Sequence, residues 1–87
     1  MTFDIDNQKV QIESSMRSMK ERDAMLKEMG AVYYVEHDHP ENTNLYAQSK
    51  RYKTLKGALK YAYRNGFRWA ALISVVDGVE TFECHLY

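Results

Sequence analysis

Cysteine and proline are almost absent from this sequence of 87 residues, which contains one of each. A single cysteine, Cys84, cannot form an internal disulfide, so small secreted domains held together by disulfides are excluded and a reducing, intracellular setting is favoured. No stretch of about 18 or more apolar residues is long enough to span a bilayer, and the first residues do not resemble a signal peptide. We therefore expect a soluble, cytoplasmic protein.

Motifs that bind phosphates, metals or cofactors are absent as well. The four glycines do not form a glycine-rich phosphate loop, and no CxxC or HExxH spacing occurs. A nucleophile, a general base and oxyanion donors cannot be assigned together. The sequence therefore predicts a protein that is not an enzyme and that has no cofactor and no metal site.

Two short polar groups keep an enzymatic alternative open. His37 and His39 alternate where a predicted strand meets a loop, and alternate histidines can share a metal ion. Glu83 and His85 lie two residues apart on one strand and could form an acid/base pair. A polar segment that happens to hold two histidines is the preferred explanation of the first group. The alternative is a small metal-dependent or acid/base enzyme.

Acidic residues are missing from residues 42–76, which hold seven basic residues. Residues 1–41 hold nine acids against five bases, and residues 77–87 hold three acids. The net charge of zero thus hides a strong division along the chain. Such asymmetry indicates a partner that recognises one charged segment.

Apolar residues make up 45% of the sequence and aromatic residues 13%. This share is enough for a compact core and excludes global disorder. A chain of 87 residues fits a single domain, so we predict one compact domain over residues 1–87.

The stretch from Phe67 to Tyr87 carries the strongest structural signal. Asp77-Gly78 separates two runs rich in Val, Ile, Thr and aromatic residues, the pattern of a two-residue β-hairpin. The opposing pairs predicted for an apolar, buried face are Val76/Val79, Ile73/Phe82, Ala71/Cys84 and Trp69/Leu86. The other face, which includes Ser74 and Glu83, is predicted to be mixed and mostly polar.

Two helices and two further strands precede this hairpin in the prediction. Asp6 or Asn7 can cap the first helix and Thr54 the second, while Gly30 and Gly66 end them. The predicted elements are a helix at 7–29, a strand at 31–37, a loop at 38–44, a strand at 45–52 and a helix at 55–65.

These elements predict an α+β fold in the order α-β-β-α-β-β. The economical packing is a four-stranded, mainly antiparallel sheet with both helices on the face lined by Trp69, Ile73 and Phe82. The apolar stripe of the first helix consists of Ile12, Met16, Met19 and Leu26. Asp23 contradicts this stripe, so it marks either an interface or an error in the helical phase.

The first helix also has two methionines, Met25 and Met29, that lie off its apolar stripe. Methionine suits adaptable binding surfaces, so these side chains are predicted to extend an exposed apolar patch. A homodimer through this helix, or through an unpaired strand edge, is one possible use of such a patch.

Basic residues concentrate on and just before the second predicted helix. Lys56, Lys60 and Arg64 recur on one side of it, opposite its apolar side. The candidate binding residues are Lys50, Arg51, Tyr52, Lys53, Lys56, Lys60, Tyr61 and Arg64. A solvated helix surface is the plainer explanation, but surfaces usually mix both signs of charge. The partner predicted is an acidic protein surface or, because basic and aromatic residues are interleaved, a nucleic acid.

A small, charge-divided domain without a catalytic set resembles in general character the accessory proteins of phages and mobile elements. The likeness covers no motif. Such proteins often inhibit or retune a host enzyme that handles nucleic acid. We expect a stoichiometric binding protein of this kind that docks through its basic helix. The alternative is a direct DNA- or RNA-binding protein that uses the same residues.

Overall fold

Helices cover one face of a four-stranded antiparallel sheet in the structure, a computed structural model that describes residues 5–39 and 45–87. The elements are α1 (Ile5–Ser18), α2 (Lys20–Glu28), β1 (Val32–Asp38), β2 (Tyr46–Gln48), α3 (Leu55–Asn65), β3 (Ala70–Val76) and β4 (Val79–His85). The strand order is β2-β1-β3-β4. The predicted α+β class and four-stranded sheet are confirmed, but the order of elements is α-α-β-β-α-β-β. Because α1 begins at Ile5, the predicted caps Asp6 and Asn7 lie inside it.

The predicted single first helix is wrong, because the helix is divided at Met19. The backbone of Met19 has φ −97° and ψ 4°, although hydrogen bonds continue across it. Its N–H donates to the Ser15 carbonyl at 3.0 Å, and its carbonyl accepts from the N–H of Asp23 at 2.7 Å. The division lets α1 pack on α3 while α2 packs on the sheet. No proline or glycine marks this position, so local sequence rules do not reveal it.

Strands β3 and β4 form the predicted hairpin. Asp77 and Gly78 have φ values of 50° and 79°, the left-handed backbone that a type I′ turn requires. The pairs Val76/Val79, Ser74/Thr81 and Ile73/Phe82 are confirmed. Val76 and Ile73 pack on opposite sides of the sheet, so the face predicted to hold both is wrong. A register shift then follows, so that Cys84 lies opposite Leu72 instead of Ala71. The bulge changes which residues in the second half of β4 face each side of the sheet.

The helices cover the opposite face of the sheet from the one predicted. Leu72 of β3 is fully buried in the core beneath the helices, whereas Ile73 and Trp69 belong to a separate cluster on the other side. The helix-side core joins Tyr33, Val35, Ala70 and Leu72 of the sheet to Ile12, Met19, Leu26, Leu55, Ala58, Leu59, Ala62 and Tyr63 of the helices. Strand β3 reads AALISVV, which is apolar on both faces, so alternation could not decide which face the helices cover.

Strand β2 is shorter than predicted because Ser49 interrupts it. The Ser49 N–H donates to the Val35 carbonyl at 2.8 Å, and the Ser49 hydroxyl accepts from the Val35 N–H at 2.8 Å. Pairing with β1 resumes at one isolated bridge between Tyr33 and Tyr52. A serine side chain therefore replaces a ladder carbonyl. Residues 40–44 of the predicted loop lie outside the described residues.

Asp23 marks an interface within the chain itself. The Tyr33 hydroxyl donates to its carboxylate at 2.6 Å beneath α2. The neighbouring Arg22 donates two hydrogen bonds to Glu83, at 2.8 and 3.0 Å, and the Ser74 hydroxyl donates to the same carboxylate at 2.7 Å. Polar contacts thus hold α2 on the sheet, and they account for a charge within the apolar stripe.

Replacing Tyr33 by phenylalanine is expected to lower the free energy of unfolding by about 1–2 kcal/mol, because a carboxylate loses its donor. Burial, together with the hydrogen bond to Asp23, raises the pKa of Tyr33, so the hydroxyl keeps its proton. Urea denaturation followed by circular dichroism measures the change. Tyr46→Phe, at a side chain 69% exposed, is the matched control and should change stability by less than about 0.5 kcal/mol. Equal midpoints for the two variants would contradict the proposed role of this hydrogen bond.

Candidate functional site

A groove runs between α1 and α3. It has a volume of about 570 Å³. Its walls consist of Gln8, Lys9, Ile12, Glu13 and Met16 from α1 and Lys56, Lys60 and Arg64 from α3. Three of the predicted binding residues therefore meet a wall that the sequence analysis did not include.

The α3 wall forms because local signals define both ends of this helix. The Thr54 hydroxyl accepts the Gly57 N–H at 3.1 Å, which is an N-cap, and Gly66 ends the helix with a φ of 60°. Both features are confirmed, as is the predicted buried side formed by Leu55, Ala58, Leu59 and Ala62. With that side packed on the sheet, the basic residues four positions apart are exposed along the groove.

The α1 wall is held against α3 by a polar contact and by apolar packing. The Ser15 and Tyr63 hydroxyls are hydrogen-bonded at 2.6 Å. Ile12 is buried in the core, and Met16 is half-buried against it. These two side chains form the apolar floor of the groove. We call Lys9, Lys56, Lys60 and Arg64, which surround this floor, the basic rim.

Among the residues whose side chains the structure describes, 7–39 and 45–87, no ion pair neutralises the positive charge of the basic rim. The ion pairs in this part of the chain are Arg22–Glu83 and Arg51–Glu80, and neither involves the rim. Glu13 is the one carboxylate among the lining residues of the groove. The groove is therefore amphipathic, with an apolar floor and a cationic rim that can attract an acidic partner.

The eight predicted binding residues do not share one surface. Arg51 lies on the sheet face opposite the helices, with its guanidinium 4.0 Å from the centre of the Tyr34 ring and an N–H donated to Glu80 at 3.1 Å. Lys53 is exposed just before α3. Arg51 is thus removed from the site by a cation–π contact that a single sequence could not indicate.

The two predicted tyrosines are packing residues. Tyr61 is bonded through its hydroxyl to His37 Nε2 at 3.0 Å, and His37 stacks on Phe67 at 3.8 Å. Tyr52 packs against Tyr61 with ring centres 5.9 Å apart, and the ammonium of Lys50 lies 5.2 Å from the Tyr52 ring. Both tyrosines are half-buried, and burial raises the pKa of Tyr61. These rings hold α3 on β1 instead of projecting into the groove.

The residues of the enzymatic alternative are dispersed. His37 is buried beneath α3, whereas His39 follows the end of β1. Glu83 faces the helices and is paired with Arg22, whereas His85 packs among the rings on the other face of the sheet. Among the described residues, no group of three or more histidine, cysteine, aspartate or glutamate side chains is placed to hold a metal ion.

Comparison with known proteins does not supply a function for this groove. No family model, curated protein or solved structure matches the chain. In the part of the chain that the structure describes, no helix is long and apolar enough to cross a membrane. The function therefore has to be inferred from the geometry and charge of the surfaces.

The α1 wall of the groove is not predicted from the sequence. The sequence predicts Ile12 and Met16 as core residues only, and it gives no role to Lys9 and Glu13. Their spacing places them on one side of α1, but nothing in one sequence indicates that this side faces α3. The pattern within a helix shows which residues share one side of it. Which element packs against that side depends on residues elsewhere in the chain.

Proposed function

We propose that this protein is a non-enzymatic binding protein whose groove between α1 and α3 holds an acidic, amphipathic segment of a partner protein. The supporting observation is the apolar floor of Ile12 and Met16 beneath a basic rim that forms no ion pair with any described side chain. Binding of a helix in a groove has this form: apolar anchors enter the floor, and charged positions of the segment meet the rim. Met16 suits such a floor because methionine adapts to different shapes.

An acidic protein segment fits the groove better than a nucleic acid does. A phosphate backbone makes no use of an apolar floor. Of the tyrosines that could have stacked on bases, Tyr61 packs against His37 and Phe67, and Tyr52 packs against Tyr61. Direct DNA or RNA binding through the same rim is the alternative function, and the test below includes it.

A stoichiometric contact of this type can inhibit or retune an enzyme without any chemistry by the bound protein. The partner expected from the sequence is a host enzyme that handles nucleic acid, bound in the manner of phage or mobile-element accessory proteins. That partner, the cytoplasmic location and a homodimer stay predictions. The enzymatic alternative has less support, because its residues lie on both faces of the sheet.

Two labelled peptides of about 20 residues test the proposed function. One places leucine at positions i, i+3, i+4 and i+7 and glutamate elsewhere, and the other has the same composition in scrambled order. Because only the first presents its apolar residues on one side, we expect it to bind at least about tenfold more tightly. Fluorescence anisotropy across a salt series measures both, beside single-stranded and duplex DNA and RNA.

Each outcome of this titration decides between the functions. Equal binding of the two peptides would show that the apolar floor is not used and would contradict the proposal. Tight nucleic-acid binding whose log affinity falls steeply with log salt would establish phosphate contacts and favour the alternative.

A further inference from the structure

The sheet face opposite the helices carries a row of aromatic rings that no described helix covers. Tyr46 and Trp69 have ring centres 5.1 Å apart, Trp69 and His85 5.9 Å, and Phe82 and His85 5.0 Å. Tyr46 is 69% exposed and Phe82 53%. We call these four residues, which reach from β2 to β4, the aromatic face. Aromatic side chains in exposed clusters are typical of protein interfaces.

Contacts with the rest of the sheet hold Trp69 in place. The carboxylate of Asp38 accepts the backbone N–H groups of Arg68 and Trp69, at 3.0 and 3.2 Å. The Trp69 ring packs against the buried cluster of Ala71, Ile73 and Tyr34. A ring held in this way loses little conformational entropy on binding, which favours its use as an anchor.

This side of the sheet already binds one guanidinium, that of Arg51. The Arg51 side chain lies over the Tyr34 ring at 4.0 Å and donates to Glu80 at 3.1 Å. A ring below and a carboxylate beside the guanidinium are the two contacts that arginine favours. The aromatic face also has rings and a carboxylate in neighbouring rows of the sheet, and among the described residues no arginine lies over these rings.

Glu36 supplies this carboxylate. In the strand register it lies opposite Ala71 and Gln48, one row from the pair of Asp38 and Tyr46. Glu36 is half-buried and belongs to neither ion pair of the described residues. The Glu36 carboxylate and the rings of Tyr46 and Trp69 therefore lie in neighbouring rows on the same side of the sheet.

The charges on this side of the sheet select a cation. Alternation along the paired strands places three carboxylates here, those of Glu36, Asp38 and Glu80. The cations beside them are Arg51, which lies over Tyr34, and Arg68, whose charge acts on Asp38, so negative charge is in excess. Negative charge opposes the phosphates of a nucleic acid and also a second copy of the same face. Aromatic rings and carboxylates both attract guanidinium groups.

We propose that the aromatic face docks an arginine-bearing segment of a protein, with a guanidinium over Trp69 or Tyr46 and paired with Glu36. This surface lies on the other side of the sheet from the groove and does not depend on the groove's function. The protein would then bind an acidic segment on its helices and a basic segment on its sheet, which suits a protein that bridges two partners.

Trp69 is the only tryptophan, so its fluorescence reports binding at this face directly. The probe is a peptide of about ten residues that alternates arginine and glycine, and the control replaces arginine by citrulline, which has the same shape without the charge. We expect saturable quenching by the arginine peptide and at least about tenfold weaker binding of citrulline. Glu36→Gln should weaken arginine-peptide binding about tenfold, while Lys20→Gln, a neutralisation on α2, should leave it unchanged.

The remaining outcomes overturn the proposal. Equal quenching by the citrulline peptide would show that binding does not depend on the guanidinium charge. Full affinity of the Glu36→Gln variant, with an unchanged denaturation midpoint, would show that the guanidinium does not pair with Glu36. Quenching by decauridylate in place of the arginine peptide would make the face a platform for base stacking. Emission that changes with protein concentration alone would show that a second copy covers it.

Discussion

Replacing both Lys56 and Lys60 by glutamate is expected to weaken binding of the patterned acidic peptide at least about 100-fold, which is about 2.7 kcal/mol of binding free energy. Two cations of the basic rim become anions, so attraction of the peptide carboxylates turns into repulsion over an apolar floor where charges are only partly solvated. Peptide anisotropy at fixed salt measures the change.

The fold should tolerate this double substitution. Both lysines are exposed, and neither belongs to an ion pair of the described residues. Glutamate at position 56 also lies in the first turn of α3, where negative charge interacts favourably with the helix dipole. An unchanged denaturation midpoint would show that only the surface has been altered.

Lys20→Glu combined with Lys27→Glu is the matched control. The net charge changes by the same amount, but the two exposed positions lie on α2, away from the groove. The control should keep peptide affinity within about threefold. If both double variants lose affinity equally, the peptide is attracted by the net charge of the protein, and the basic rim is not a specific binding site. Full affinity of the Lys56/Lys60 variant would sink the proposed function.

Replacing Arg22 by methionine is expected to lower the free energy of unfolding by more than the control substitution below, because it leaves the Glu83 carboxylate without its cation. The Glu83 side chain is only 5% exposed, whereas that of Arg22 is 40% exposed, so it is the carboxylate that is left buried and unpaired. Urea denaturation at neutral pH measures it. Arg17→Met, at an exposed arginine of α1, is the control and should cost less than about 0.5 kcal/mol.

The dependence of stability on pH gives a second measurement of the Arg22–Glu83 pair. The hydrogen bond from Arg22, opposed by burial and assisted by Ser74, lowers the pKa of Glu83 below its ordinary value of 4.5. A lowered pKa in the fold contributes stability above the unfolded pKa, and this stability is lost as the pH falls through the folded pKa. In Arg22→Met, burial without the arginine opposes ionisation, so the loss of stability on acidification should become smaller. Parallel curves for wild type and variant would contradict this account of Glu83.

Signals within a few residues of the sequence determined several parts of this protein by themselves. Asp77-Gly78 demands a hairpin, Thr54 caps α3 and Gly66 ends it, so one side of α3 is buried and its lysines face outward. Each of these features depends on backbone conformation or on the period of a single helix. The cationic half of the groove was therefore predictable.

Only the tertiary structure decided what these elements pack against. β3 is apolar on both faces, so the choice of the covered face depended on the whole sheet. The first helix is divided at Met19 because its two halves pack on different elements. Arg51 lies over the Tyr34 ring and not with the other basic residues. The apolar floor exists because α1 lies beside α3, and the aromatic face because no described helix lies over it. Contacts between distant segments are favourable only once the whole core has formed, and no period or spacing in one sequence reports which surfaces will meet.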